Sequence, residues 1–271
     1  MKTFYRLLTM GLLIATLNNF VSATPSTQIW MPSTDVQAFG VFHLGWDSYI
    51  KTESNPSPTE AFASPFGYGP TVTNGGITVG VLPFKQVGLE VGVDYRDINA
   101  YHQYPIYLNA KLGTPEDAFF KYQPAIAIGS FDLGTHYSGN LSPTNYNVTY
   151  GLIAKNFWKL GRVSLGYYKG NDNLLVDVTD NKKDANGVLV SWDRTLTEIS
   201  DKLWLAVEYM GAKNSYGEAS IGGSYAITPD ASFIIGYDYW NDYNSYRPTV
   251  TVQVDLNLPA VQDWFKKAEK K

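Results

Sequence analysis

Between Leu203 and Leu258 one pattern recurs four times, with apolar residues at every second position and small or polar residues between them. Leu203, Leu205, Val207 and Tyr209 alternate with Ala206 and Glu208, and Ala219, Ile221, Gly223 and Tyr225 with Glu218, Ser220, Gly222 and Ser224. Phe233, Ile235 and Tyr237 then alternate with Gly236 and Asp238, and Val250, Val252, Val254 and Leu256 with Thr251, Gln253, Asp255 and Asn257. Successive side chains on a strand point to opposite faces, so each segment predicts a ribbon with one apolar and one polar side. A soluble β-sandwich gives the same alternation. The composition of the polar side favours a different architecture. Gly, Ser, Asp and Asn suit a crowded, hydrated interior, and aromatic residues near strand ends suit two membrane interfaces.

The same period can be followed from the start of the chain. A first strand sets Phe42, Leu44, Trp46 and Ile50 outward and His43, Gly45, Asp47 and Tyr49 inward. Thr52 to Asn74, rich in Ser, Pro and Gly, predicts a long extracellular loop. Ile77, Val79 and Val81 lead through the short connection Pro83 to Gln86 into a strand whose inner face reads Gly88, Glu90, Gly92, Asp94 and Arg96. The return strand through Ile106, Leu108, Ala110 and Leu112 carries Tyr107, Asn109 and Lys111 inward. From Gln123 to Leu133 apolar residues fall on both faces, and a single alternation that holds Asp132 inside places Ile126 and Ile128 inside with it. Tyr146, Val148, Tyr150 and Leu152 are then expected toward lipid, with Asn147, Thr149, Gly151 and Lys155 inward. Val163, Leu165 and Tyr167 continue outward, Asp172 to Gly187 reads as a second long outer loop, and Val188, Val190 and Trp192 mark one further strand.

This predicts an all-β fold, an antiparallel up-and-down transmembrane β-barrel of about twelve strands, with both termini in the periplasm. The polar stretch from Thr24 to Phe39, with Pro25 and Pro32, reads as a periplasmic lead-in. Ahead of it, Lys2 and Arg6, the apolar run Leu7 to Leu17 and the small residues Val21-Ser22-Ala23 predict a signal peptide over residues 1–23. Residues 24–271 are expected to form one outer-membrane barrel domain. The chain has no Cys, which excludes disulfides and thiolate metal sites, and its net charge of −4 argues against a nucleic-acid partner. Its 20 Tyr and 7 Trp are enough to furnish interface girdles.

In these features the chain resembles bacterial outer-membrane β-barrel proteins along essentially all of its predicted mature length. One hairpin has a narrower likeness. Pro124-Ala125-Ile126-Ala127-Ile128-Gly129-Ser130-Phe131-Asp132-Leu133-Gly134-Thr135, with the strand ending Ile153-Ala154-Lys155, resembles a hairpin of barrels associated with exopolysaccharide secretion. Those barrels are commonly larger and anchored through Cys, and barrels commonly close on a terminal aromatic residue. Here Leu258 is followed by Pro259 and a tail with Trp264 and Phe265.

Candidate chemistry is sparse. His43 shares an inner face with Asp47, but Ser48 lies on the opposite face, so a Ser-His-Asp triad would need a serine from elsewhere. His102 and His136 fall in predicted outer loops without a metal-ligand pattern. No enzyme activity and no cofactor are expected. The candidate pore-lining residues are Asp47, Glu90, Asp94, Arg96, Lys111, Asp132, Lys155, Glu208, Glu218, Asp238 and Asp255. Their acidic excess predicts a narrow porin-like channel for small hydrophilic solutes that favours cations or neutral sugars. The alternative is a non-conducting barrel in cell-envelope or exopolysaccharide assembly, with an assembly partner. Either would contact outer-membrane lipid and lipopolysaccharide.

Overall fold

The period-two segments pair as hydrogen-bonded neighbours all the way round. A computed structural model describes residues 26–53, 63–64, 67–68, 71–97, 104–138, 142–177 and 179–258. Twelve antiparallel strands close into one barrel. They are β1 (Phe42–Lys51), β2 (Val72–Gly80), β3 (Gly88–Asp97), β4 (Ile106–Thr114), β5 (Ala125–Gly134) and β6 (Val148–Asn156). The second half comprises β7 (Arg162–Lys169), β8 (Asn186–Thr195), β9 (Leu203–Met210), β10 (Glu218–Thr228), β11 (Ala231–Trp240) and β12 (Thr249–Leu258). Each strand pairs with its sequence neighbours, and β1 closes the ring on β12 with Phe42 opposite Leu258. Closure excludes the two-sheet sandwich and leaves no exposed edge. The strand through Val188, Val190 and Trp192 is β8. The predicted outer loop ending at Asn74 is shorter than expected, because β2 already begins at Val72. The predicted signal peptide, His102 and the C-terminal tail lie outside the described residues.

The outer surface is what the alternation requires. Trp46, Ile77, Val93, Leu108, Ile128 and Ile153, from β1 to β6, are exposed, as are Leu165, Val190, Val207, Ile221, Ile235 and Val254 from β7 to β12. An apolar belt contributed by every strand is far larger than the patches a water-soluble surface tolerates, and it is the surface a bilayer solvates. Aromatic residues cap it. Phe84, Phe119, Phe120, Tyr122, Phe157 and Trp158 are exposed in the turns at the end that carries the barrel's termini, and Tyr95, Tyr167, Tyr209 and Tyr239 are exposed toward the other end. The chain is a transmembrane β-barrel of the outer-membrane type, and we call the end carrying the termini periplasmic.

The β5–β6 hairpin corrects the expected orientation. Ile126 and Ile128 are 45% and 58% exposed on the lipid side, whereas Ala125 and Ala127 are 5% and 2% exposed and face inward. Asp132 is nevertheless buried inside, because two residues of β5 are accommodated opposite Asn109 of β4, and Asp132 adopts a left-handed φ of 51°. This β-bulge resets the alternation, so Phe131 and Asp132 both point into the lumen. A single period carried back from Asp132 therefore inverts the first half of the strand. The inversion carries to β6. Val148, Tyr150 and Leu152 are buried in the lumen, while Thr149, Gly151 and Ile153 face out. On the outer face the hydroxyls of Ser130 and Thr149 satisfy each other at 2.7 Å.

Inward apolar residues need something apolar to touch. Val148, Tyr150 and Leu152 form a core with Tyr168, Leu189, Met210, Tyr216 and, from the N-terminal segment, Met31. That segment is not a periplasmic lead-in. Gln28, Ile29, Met31, Ser33, Thr34 and Gln37 are buried within the barrel.

Candidate functional site: a half-plugged lumen

Twelve strands enclose more space than their own side chains fill and less than a wide porin channel. In this barrel an N-terminal hairpin takes up part of the difference. Gln28 N–H donates to the Met31 carbonyl at 2.8 Å, Ser33 N–H donates to the Ser26 carbonyl at 3.2 Å, and Thr27 bridges Pro32. These contacts fold residues 26–33 into a tight hairpin with Trp30 at its tip. The chain then passes Gln37 and meets the periplasmic end of β2, where Gly40 N–H donates to the Gly80 carbonyl at 2.8 Å.

The barrel wall is built to hold this hairpin. At the tip, the Glu208 carboxylate accepts the backbone N–H groups of Ile29 (3.3 Å), Trp30 and Met31 (2.9 Å), and also the Ser220 hydroxyl (2.9 Å). Three successive backbone donors converging on one group make an anion-binding nest, here filled by a wall residue. Gln253 donates to the Ile29 carbonyl at 2.6 Å, and Gln28 donates to the Ser191 hydroxyl at 2.9 Å. Lower down, Arg162 binds Asp35 at 2.8 Å and Asp193 at 2.9 Å, and Asp193 also accepts the Trp204 indole N–H at 3.1 Å. At the base, Glu90 accepts Gln37 N–H (2.7 Å) and the Ser26 hydroxyl (2.9 Å) and pairs with Lys111 (3.1 Å), its direct neighbour on β4.

The inward glycines have a steric role in this arrangement. A Cβ at Gly222 or Gly236 would lie 2.9 or 2.8 Å from the Ile29 side chain, and a Cβ at Gly88 or Gly113 would lie 2.8 Å from Val36. Small residues on the lumen face therefore seat the hairpin as well as leaving room for water.

The predicted lumen residues separate into two sides. Glu208, Glu218 and Asp238 lie on the hairpin side and are fully buried. Ser220 also reaches Glu218 (3.2 Å), and Thr249 donates to Asp238 (2.7 Å). Asp47, Glu90, Asp94, Arg96, Lys111, Asp132 and Asp255 surround a chamber of about 130 Å³ on the opposite side, between the hairpin and β1–β5. Here Arg96 binds Asp132 at 2.7 Å and stacks on Tyr107, Asn109 donates to Asp94 at 2.7 Å, and Tyr216 donates its hydroxyl to Asp132. Glu90, Asp94 and Arg96, neighbours on the inner face of β3, thus each find a partner on another strand, Lys111, Asn109 and Asp132. His43 lies between Asp255 (3.3 Å) and Asn257 (3.0 Å).

Lys155 does not join this group. It lies on the outward parity of β6, and its ammonium binds Glu116 at 2.7 Å in the β4–β5 turn. The inverted register of the hairpin carried it into the expected lumen set. Residues that the sequence reading missed include Trp30, Gln28, Asp35, Arg162, Asp193 and Gln253. The apolar inner face of β6 and the inward glycines were the available signals.

Above the chamber a second cavity of about 390 Å³ opens toward the outer loops. Both cavities are lined by Trp30, Tyr49, Asn74, Arg96 and Tyr216, so the hairpin tip and these four wall side chains lie between the two. Trp30 packs edge-on against Tyr49 (5.1 Å) and Trp240 (5.3 Å) and donates its indole N–H to the Tyr216 carbonyl at 3.1 Å. In the outer loop between β11 and β12, burial pushes the Tyr246 phenol above its ordinary pKa.

No protein-family model matches the chain, and no curated protein does. Among solved structures it is similar to the NanC porin, at 13% identity and a TM-score of 0.45 over 79% of this chain and 100% of that one. It is also similar to the outer membrane protein Omp33 of Acinetobacter baumannii, at 9% identity and 0.41 over 81% and 98%. Outer membrane phospholipase A from Escherichia coli matches at 14% identity and 0.43 over 82% and 94%. At this degree of likeness neither solute nor activity carries across, and the barrel assignment stands on the closed strand order and the apolar belt.

Proposed function

We propose that the chain, exported through a leader at residues 1–23, is an outer-membrane channel for small hydrophilic solutes. Its N-terminal hairpin closes one side of the lumen and leaves a narrow passage along β1–β5. The observation that carries this reading is the shared lining of the two cavities at Trp30, Tyr49, Asn74, Arg96 and Tyr216. Asp47 and Asp94 face the inner chamber with no basic partner in hydrogen-bonding contact among the described residues, and they raise the local concentration of cations there. The passage accordingly favours cations or neutral sugars over anions. Ion flow through the purified protein in a planar bilayer, with the reversal potential in a salt gradient, tests both statements. Steps of conductance with a cation-leaning reversal potential support the channel. A wild-type pore that prefers anions contradicts the selectivity.

One observation favours a second reading. The hairpin is held at its tip by Glu208, lower down by Arg162 and at its base by Glu90, which suits a permanently closed barrel that serves cell-envelope or exopolysaccharide assembly through a partner. Absence of conductance in protein that shows the heat-dependent gel shift of a folded barrel supports this second reading.

A further inference from the structure

We propose that the outer cavity is a binding site for a small acidic saccharide, a sugar ring that carries a carboxylate. The site lies at the mouth of the proposed passage, but it does not require the passage to conduct. Six rings line it, those of Trp30, Tyr49, Tyr146, Tyr216, Trp240 and Tyr246, and the Trp240 and Tyr246 rings lie 5.7 Å apart. Aromatic faces beside Ser215 and Ser245 suit a ligand with an apolar face and a polar edge, as a sugar ring has.

The charges select among such ligands. Lys51, Arg96 and Arg247 line the cavity, and among the described residues no Asp or Glu does. A cage of aromatic rings alone would attract a cation, but a guanidinium lining the same cavity opposes one. Arg96 is already engaged by Asp132. Arg247 differs from it. Its guanidinium stacks on Tyr243 at 4.4 Å, and its Nε is buried without a hydrogen-bond partner. A buried donor left unsatisfied is costly, and a ligand carboxylate is the group that a guanidinium binds best. The nearby carboxylates do not fill this role. Glu53 accepts the Tyr243 hydroxyl, and Asp242, on the same loop, does not line the cavity.

The ligand would rest on Trp30, and hence on the tip of the hairpin. Capture here is distinct from passage. The chamber below is lined by Asp47, Asp94, Asp132 and Asp255, which repel an anion, so an acidic sugar is held at the mouth and obstructs flow of other solutes.

Isothermal titration of the full refolded chain in detergent micelles with glucuronic acid, glucose and choline tests the site. Glucuronic acid should bind saturably, glucose roughly tenfold or more weakly because it lacks the charge-assisted hydrogen bonds, and choline not at all. Arg247→Gln should bring glucuronic acid down to the level of glucose. Equal binding of the two sugars, preference for choline, no binding of glucuronic acid, or an unchanged Arg247→Gln variant each overturns the proposal. If Arg247→Gln lacks the heat-dependent gel shift of a folded barrel, Tyr246→Leu tests the stacking surface instead, with loss of binding expected and unchanged binding contradicting the site. Binding is read without ion flow. A non-conducting protein that binds glucuronic acid overturns the channel and keeps the site, and a conducting protein that does not bind it overturns the site alone.

Discussion

The Glu208 carboxylate, on the lumen face of β9, accepts the backbone N–H of Met31 at 2.9 Å and thereby joins the barrel wall to the tip of a hairpin 177 residues earlier in the chain. The adjacent Ile29 and Trp30 N–H groups converge on the same carboxylate. Glu208→Gln keeps the volume but offers one accepting oxygen where the carboxylate has two, so part of the nest is left unmatched. The variant should lose about 1–3 kcal/mol of stability, the cost of unsatisfied buried donors. Its conductance should also become larger and noisier as the tip loosens. Urea unfolding in micelles and single-channel recording check the two effects.

The seat under Val36 can be tested sterically. A methyl group at Gly88 would meet only the Val36 side chain, at 2.8 Å, with no backbone atom in its way. Gly88→Ala should therefore destabilise by about 1–3 kcal/mol, as overpacking does. Val36→Ala in the same chain should recover most of that loss. Two effects that simply add would show that residue 36 does not pack on β3 in the folded protein.

The candidate lumen acids differ in their surroundings, and the proposed selectivity assigns them different effects. Glu208 and Asp238 belong to the hairpin side, whereas Asp47 and Asp94 face the open chamber. Asp47→Asn with Asp94→Asn should shift the reversal potential in a salt gradient toward zero. Asp238→Asn should leave it unchanged. The opposite pattern would place the passage on the other side of the hairpin.

The outer belt and the lumen differ in what they tolerate. Ile235→Arg puts a cation on the lipid face and should cost about 2–4 kcal/mol if it lies near the midplane. Ser224 is a poor lumen control, because it is 1% exposed and an arginine there has no water to enter. Asn74 lines both cavities, so Asn74→Arg should fold with little loss. Equal destabilisation at Ile235 and Asn74 would contradict the assigned faces.

Much of this barrel is legible in its sequence, and the exceptions have identifiable causes. From β9 to β12 each strand keeps a strict period of two, so Val207, Ile221 and Ile235 face outward where the alternation puts them. The β5–β6 hairpin defeats the same rule at one residue, Asp132, whose left-handed backbone resets the phase. The hairpin plug is harder to foresee. Gln28 and Asp35 are polar residues beside prolines, and nothing local distinguishes them from a solvated leader. Their partners Ser191 and Arg162 lie more than 100 residues away in sequence. The sequence does hold an indirect trace of the plug. Gly88, Gly113, Gly222 and Gly236 empty the inner face in two places, and Val148, Tyr150 and Leu152 make it apolar in a third.

The central claim is that the N-terminal hairpin occupies one side of the lumen and leaves the other open. It is tested most directly by planar-bilayer conductance of the intact chain and of a chain lacking residues 26–37, both first shown to be folded by their heat-dependent gel shift. The intact protein should give small, cation-leaning steps, and removal of the hairpin should enlarge them several-fold. Steps of the same size in both proteins, or no steps in either, would contradict it.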